Sequence, residues 1–98
     1  MLGINSTICI AGKNKCAIDA LLHVKKKYKK YKLLALPNKS DNSRDGWQKS
    51  FKKFAKKQKI KITNLNELYK IRNLFFFSLE YEEILNINKF KSNQLFNL

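Results

Sequence analysis

The feature that most constrains the fold is the alternation of short apolar runs with longer amphipathic stretches. Four runs are predicted as strands: residues 7–11, 32–36, 59–63 and 74–77. All except the third are nearly continuously apolar, which is typical of strands covered on both faces of a parallel sheet. The third alternates with lysine and is predicted near a sheet edge. Strands separated by helical stretches predict an α/β fold with a mostly parallel sheet and flanking helices.

Helical periodicity lies between these runs. Apolar residues at steps of three and four predict helices over residues 16–31, from about 45 or 46 to 58, and over 64–71. Trp47 shares the apolar stripe of the second helix with Phe51, Phe54 and Ala55. We therefore expect Trp47 in the core rather than as an exposed stacking surface. Asn64, three residues before Glu67, is predicted to cap the third helix.

The stretch after the fourth strand carries the remaining elements. Residues 80–86 are predicted as a helical turn or short helix, and residues 94–98 as the start of a fifth strand. In open parallel sheets, ligands bind beyond the carboxyl ends of the strands. That rule directs attention to residues 12–14, 37–46 and 78–81.

The charge is strongly positive, with 21 Lys and Arg against 7 Asp and Glu and a net charge of +14. Such a field favours anionic partners such as phosphates, nucleotides, folates, nucleic acid or membrane surfaces. All basic residues except Arg44 and Arg72 are lysines, which argues against sequence-specific DNA reading. The many Lys, Asn and Ile residues fit a general compositional drift equally, so charge alone leaves the partner open.

Several classes of site and location are disfavoured. Cys9, Cys16 and His23 match no zinc pattern, and we expect no metal. The N-terminal stretch is too short and polar for a signal peptide, and the longest apolar run is far below the ~20 residues of a membrane span. We therefore expect a cytoplasmic protein that does not enter a membrane.

Residue chemistry taken alone gives weak site signals. Gly12 follows a strand and opens a helix, a context suited to anion binding, although a tight turn with two solvated lysines explains it as well. The lysine-rich stretches 25–32 and 49–61 read as solvated helix faces. Glu80, Glu82 and Glu83 form an acidic cluster that could serve acid–base chemistry or simply be solvated.

Three groups of short motifs, taken together, resemble the 10-formyltetrahydrofolate-dependent formyltransferase family. The first is ICIAGKN followed by AI, and the second is LPN followed by WQKS, FA and Ile60. The third runs from FSLEY through Ile84 to FK and then LFNL at residues 95–98. The chain is most similar to the branch that acts on dTDP-linked amino sugars. The resemblance implies a Rossmann-like, mostly parallel sheet of formyltransferase type, here incomplete.

The resemblance also implies a reaction and its residues. A formyl group would pass from 10-formyltetrahydrofolate, a co-substrate, to the amine of a dTDP-4-amino-4,6-dideoxyhexose. Asn97 would be catalytic and would help to hold the tetrahedral oxyanion. The folate would contact Ser78, Leu79, Glu80, Tyr81, Ile84 and Leu85, and the nucleotide sugar would contact Gly12, Lys13 and Asn14.

The family's motif is Asn-x-His, and Asn97 and Leu98 supply its first two positions. We therefore expect residues 1–98 to be the N-terminal portion of a single formyltransferase-like domain, inactive alone, whose full-length parent is the enzyme. A homodimer of that parent is left open, and no specific nucleic-acid partner is expected. The alternatives are a small basic α/β module that binds nucleic acid or a protein, and a different α/β enzyme with the same fold.

Overall fold

A computed structural model describes residues 6–83 and 85–97, which form a five-stranded parallel sheet with helices on both faces. The strands lie in the order β3-β2-β1-β4-β5. Their bounds are β1 Thr7–Gly12, β2 Lys32–Pro37, β3 Lys61–Ile62, β4 Leu74–Leu79 and β5 Gln94–Asn97. The helices are α1 Asn14–Lys27, α2 Phe51–Lys57 and α3 Leu65–Tyr69, with a 3₁₀ turn at Ile87–Lys89. The predicted α/β class and parallel sheet are confirmed.

The central strand is β1, all six residues of which are buried. It pairs with β2 from Thr7↔Lys32 and with β4 from Thr7↔Leu74, both in parallel. A strand with a neighbour on each side and helices on each face has no solvent-facing side, which explains its unbroken apolar sequence. The short strand β3, which contains Lys61, lies at a sheet edge, as the alternation of residues 59–63 predicted.

The core has two parts, one on each face of the sheet. On one face α1 and α2 cover a cluster of buried residues: Ile8, Ile10, Ala17, Ile18, Leu21, Ala35, Phe51, Ala55, Ile60 and Leu79. On the other face α3 and the stretch before β5 cover a second: Cys9, Ala11, Leu34, Leu36, Leu68, Leu74, Phe76 and Phe90. Successive strand residues point to opposite faces, so adjacent residues of β1 enter different clusters.

Helix α1 begins two residues earlier than predicted and ends at Lys27 rather than near residue 31. Tyr28 leaves the helical conformation at φ −119° and ψ 55°, and its N–H still donates to the Val24 oxygen. The ring of Tyr28 then packs on that of Tyr31, with 6.0 Å between centroids. The chain therefore leaves the helical conformation after Lys27 and turns towards β2.

The prediction for Trp47 was wrong. Its side chain is 94% exposed, and α2 begins only at Phe51. Ser50 is the N-cap, because its hydroxyl accepts the Lys53 N–H at 3.0 Å. A serine cap at this point satisfies the first free N–H groups of the helix and leaves Trp47 in the preceding loop. Phe51 and Ala55, by contrast, are fully buried as predicted.

The predicted helical turn at residues 80–86 is also absent from the residues described there, 80–83 and 85–86. Glu80 adopts φ +57°, a left-handed conformation that ends β4 abruptly and is incompatible with a right-handed helix. Helix α3 is shorter than predicted, but its cap is as predicted: Asn64 accepts the Glu67 N–H at 3.0 Å. No helix among the described residues has the length and apolarity needed to cross a membrane.

Candidate functional site

The strands are all parallel, so their carboxyl ends meet at one edge of the sheet. Gly12 is level there with Pro37 of β2 and Leu79 of β4, and Ser78 is level with Asn97 of β5. The sequence-predicted site residues therefore gather along one edge, where ligands of open parallel sheets bind.

Gly12 is required at the middle of this edge. Its φ is +155°, and a Cβ built there would lie 2.0 Å from the Leu79 carbonyl oxygen. Backbone approach this close is open only to glycine. The next residues, Lys13 and Asn14, lead into α1, and the Lys13 ammonium pairs with the Glu82 carboxylate at 3.4 Å.

A cavity of about 300 Å³ opens between the ends of β4 and β5. It is lined by Phe76, Ser78, Tyr81, Glu83, Leu85, Ile87, Leu95, Phe96 and Asn97. We call it the β4–β5 cavity. It brings together Asn97 and three of the predicted folate contacts, namely Ser78, Tyr81 and Leu85. Leu79 and Glu80 do not line it, since Leu79 packs on the opposite core cluster and Glu80 is exposed. Ile84, also predicted, lies outside the described residues.

Tyr81 and Glu83 form the rim of this cavity and are hydrogen bonded to each other. Partial burial, then the contact with the carboxylate, raises the pKa of the Tyr81 phenol, which stays protonated. The Tyr81 hydroxyl, followed by Lys39 at 2.9 Å, lowers the pKa of Glu83. At neutral pH the rim therefore presents a neutral phenol that donates to an ionised carboxylate.

The other side of the same rim faces a second cavity of about 360 Å³, between the ends of β2 and β3 and the start of α3. It is lined by Leu36, Pro37, Asn38, Lys39, Lys52, Ile62, Thr63, Asn64, Leu65, Asn66, Tyr81 and Glu83. Sequence reasoning pointed to Pro37 and the loop after it but not to Thr63–Asn66. The polar residues Thr63, Asn64 and Asn66, directly after β3, were the sequence signal that could have indicated this cavity.

A smaller polar cavity of about 150 Å³ contains Lys13 and Asn14, two of the three predicted sugar-nucleotide contacts. Its other lining residues come from the loop after β2: Ser40, Asp41, Asn42, Arg44, Gln48, Lys49 and Ser50. Gly12 does not line it. Within the described residues, neither Arg44 nor Lys49 forms an ion pair, so the cavity keeps cationic groups available for an anion.

Two aspartates shape the loop that builds this polar cavity. The Asp41 carboxylate accepts the Ser43 N–H at 3.0 Å, the Lys52 N–H at 2.9 Å and the Ser50 hydroxyl. Asp45 accepts the Ser50 N–H at 2.9 Å and pairs with Lys53 at 3.0 Å. The Ser50 N–H and then Lys53 lower the pKa of Asp45, so its carboxylate is ionised at neutral pH.

Neither cysteine belongs to a site. Cys9 is fully buried, and burial raises the pKa of its thiol, whereas Cys16 is exposed on α1. Across residues 6–83 and 85–97, no three His, Cys, Asp or Glu side chains are placed to hold a metal ion.

The comparisons with known proteins identify what this arrangement resembles. No protein-family profile and no curated protein sequence matches the chain. Among solved structures it is similar to WlaRD, a sugar 3N-formyl transferase crystallised with dTDP and 5-N-formyl-THF, with 45% identity and a TM-score of 0.87 over 97% of the chain. It is also similar to the N-formyltransferase from Helicobacter canadensis in complex with folinic acid and dTDP-3-aminofucose, with 40% identity and a TM-score of 0.85 over 94% of the chain. The chain spans 35% of the length of each of these proteins.

Proposed function

We propose that this chain forms the N-terminal portion of a sugar N-formyltransferase. The reaction would transfer the formyl group of 10-formyltetrahydrofolate to the amine of a dTDP-linked amino sugar. One observation carries the proposal: near-complete coverage of the chain at 45% identity by a sugar 3N-formyl transferase solved with dTDP and a formylated folate. Similarity at this level favours a transferase over the alternative of a small basic binding module.

The β4–β5 cavity suits the folate. Phe76, Leu85 and Leu95 give it apolar walls for a flat heterocycle, and Ser78 and Tyr81 place polar groups at its edge. Mostly apolar walls with a few placed polar groups are the usual composition of a cofactor pocket. The surrounding positive charge, +14 over the chain, complements the carboxylates of the folate tail.

Asn97 would act on the reacting carbonyl. It ends β5 beside Ser78 and lines the β4–β5 cavity. An amide N–H aimed at the formyl oxygen would stabilise the oxyanion that forms when the sugar amine attacks, a contribution of about 3 kcal/mol for one good donor. The proton leaving the amine would need a further group, which we place in sequence outside these 98 residues.

The polar cavity suits the nucleotide sugar. Lys13, Asn14, Arg44 and Lys49 could hold a diphosphate by charge and hydrogen bonding, since neither Arg44 nor Lys49 forms an ion pair within residues 6–83 and 85–97. Both structural neighbours are described with 3-amino chemistry. We therefore propose a dTDP-3-amino sugar as the first acceptor to assay, beside the dTDP-4-amino-4,6-dideoxyhexose that the sequence resemblance implied.

The architecture of the whole protein follows from the same proposal. Residues 1–98 would be the N-terminal portion of one catalytic domain, and the oligomeric state would be decided by other parts of the protein. No specific nucleic-acid contact is proposed, because the lysines of α1 and α2 are exposed, apart from the half-buried Lys52, while the aromatic residues of α2, Phe51 and Phe54, pack in the core.

Ligand binding and turnover test the proposal. Folinic acid and dTDP are each titrated into the chain by isothermal titration calorimetry. Saturable binding is expected for folinic acid. Turnover is measured on the full product of the gene with 10-formyltetrahydrofolate and each dTDP-amino sugar. Asn97→Ala should lower kcat by about 100-fold with a smaller change in KM. If neither ligand binds, and the protein instead binds DNA with strong salt dependence, the basic-module alternative replaces the proposal.

A further inference from the structure

Asn38, the last residue of the LPN motif, is a buried amide to which the sequence patterns assigned no role. It directly follows β2 and is 3% exposed. Its own N–H donates to the Gly12 carbonyl at 3.3 Å, which fixes its backbone to the end of β1. Buried side-chain amides are hydrogen bonded in nearly all proteins, so the partners of this one show what it holds.

All side-chain partners of Asn38 lie just after β4. Its Oδ1 accepts the Glu82 N–H at 2.9 Å, and its Nδ2 donates to the Glu80 carbonyl at 3.4 Å and to the Glu82 carboxylate at 3.2 Å. Strands β2 and β4 are not neighbours, because β1 lies between them. One side chain therefore links the carboxyl ends of β2 and β4 across the central strand.

The segment that Asn38 holds has an uncommon backbone. Glu80 has φ +57°, a conformation that residues other than glycine keep only when their surroundings impose it. The Tyr81 and Glu83 side chains on the same segment form the rim shared by the β4–β5 cavity and the cavity beside it. The position of residues 80–83 therefore sets the shape of both cavities.

The other contacts to this segment are more exposed. Glu82 pairs with Lys13 at 3.4 Å and accepts from Ser40 at 3.5 Å, and Glu83 pairs with Lys39, which is 85% exposed. Ion pairs and long hydrogen bonds near solvent are weak restraints. Of the described side chains that hydrogen bond to residues 80–83 from another element, Asn38 is the buried one.

We propose that Asn38 is a positioning residue: it holds residues 80–83 in the conformation that forms the folate cavity. This inference rests on the proposed function, because it takes the β4–β5 cavity as the folate site. Asn38 does not line the β4–β5 cavity, so its effect on binding would pass through Tyr81 and Glu83.

The test uses variants that change the charge of, and the hydrogen bonds between, the side chains at positions 38 and 82. Their affinity for folinic acid is measured by titration. Asn38→Ala removes all three hydrogen bonds. Asn38→Asp keeps the acceptor for the Glu82 N–H but places a carboxylate against that of Glu82. Glu82→Gln alone preserves an oxygen that can accept from Asn38. The double variant Asn38→Asp/Glu82→Gln lets the new glutamine amide donate to the new carboxylate.

We expect Asn38→Ala and Asn38→Asp to weaken folinic acid binding by about tenfold or more, the equivalent of one lost buried hydrogen bond. Glu82→Gln alone should bind within about threefold of the wild type, and the double variant, which restores a bond to residue 82 but not the bond to the Glu80 carbonyl, should bind more tightly than Asn38→Asp. Ile10→Val is the stability control: it trims a buried side chain of the opposite core cluster and should leave the affinity unchanged.

Hydrogen exchange at the Glu82 amide gives a second readout that does not depend on folate. Faster exchange in Asn38→Ala, but not in Ile10→Val, supports the positioning role. If the wild type binds folinic acid and Asn38→Ala binds it equally well, the inference is overturned while the proposed function stands. If the wild type binds no folate, the proposed function falls, and unchanged exchange at Glu82 would then overturn the positioning role as well.

Discussion

The loops that follow β2 and β4 meet at the same edge of the sheet but are held in opposite ways. Residues 41–50 of the β2 loop (residues 38–50) are supported from within and by the start of α2, through Asp41 and Asp45. The β4 segment, residues 80–83, has one internal side-chain bond, Tyr81 to Glu83, and otherwise depends on Lys13 and on the first residues of the β2 loop, 38–40. Residues 41–50 can therefore change with less effect on the β4 segment than residues 38–40, which hold it.

The largest effect is expected from Gly12→Ala. Gly12 lies between Pro37 and Leu79, the residues after which the two loops begin. The new Cβ would meet the Leu79 carbonyl at 2.0 Å, in a backbone conformation that alanine rarely adopts. We expect a loss of about 3 kcal/mol or more in the free energy of unfolding, measured by urea denaturation.

Hydrogen exchange should localise that damage to the β4 segment rather than to the β2 loop. Gly46→Ala is the matched control, because nothing lies within 4 Å of its added Cβ; it should change stability by less than about 0.5 kcal/mol. Equal losses in the two variants would contradict the close approach at Gly12.

A smaller effect is expected from Asp41→Ala, which removes the internal support of the β2 loop. Three donors lose a charged acceptor, so we expect a loss of about 2 kcal/mol in the free energy of unfolding. Amide exchange should rise at Ser43 and Lys52 and stay unchanged at Glu82. Asp19→Ala makes the same change of charge on the exposed face of α1 and serves as the control. Faster exchange at Glu82 would show that residues 41–50 also help to hold Asn38 against the β4 segment.

The smallest effect is expected from Trp47→Ala. Because the side chain is 94% exposed, its removal should cost less than about 0.5 kcal/mol, measured by circular dichroism. Phe51→Ala, at the fully buried start of α2, should cost about 3 to 5 kcal/mol. A large loss of stability in Trp47→Ala would instead support the core position that was predicted for Trp47 from the apolar stripe.

The sequence signals that succeeded are local ones. The apolar run of β1, the lysine alternation around β3 and the Asn64 cap each involve a few adjacent residues, and the sheet, its edge and the start of α3 follow from them. Trp47 failed because periodicity shows which residues share a face, not where a helix begins. The serine cap at Ser50 decides that start.

The candidate site was harder than the fold to predict from local sequence patterns. Residues at the strand ends could be predicted to share an edge, and Ser78, Tyr81, Leu85 and Asn97 do line one cavity. Their roles in folate binding and catalysis remain predictions. The role of Asn38 was not predicted, because its partners lie on the far side of the central strand and no short-range pattern indicates a bond of that kind.

The strand order β3-β2-β1-β4-β5 also bears on how the chain reaches this structure. Strands β1 and β2 are joined through α1 alone, whereas pairing β1 with β4 must close a loop that contains α1, β2, α2, β3 and α3. The entropic cost of closure grows with loop length, and distant pairings form more slowly than near ones. During folding, then, the β2 loop can close while β4 is still unpaired. The β4 segment, with its bonds to Asn38, is therefore expected to reach its place after the β2 loop.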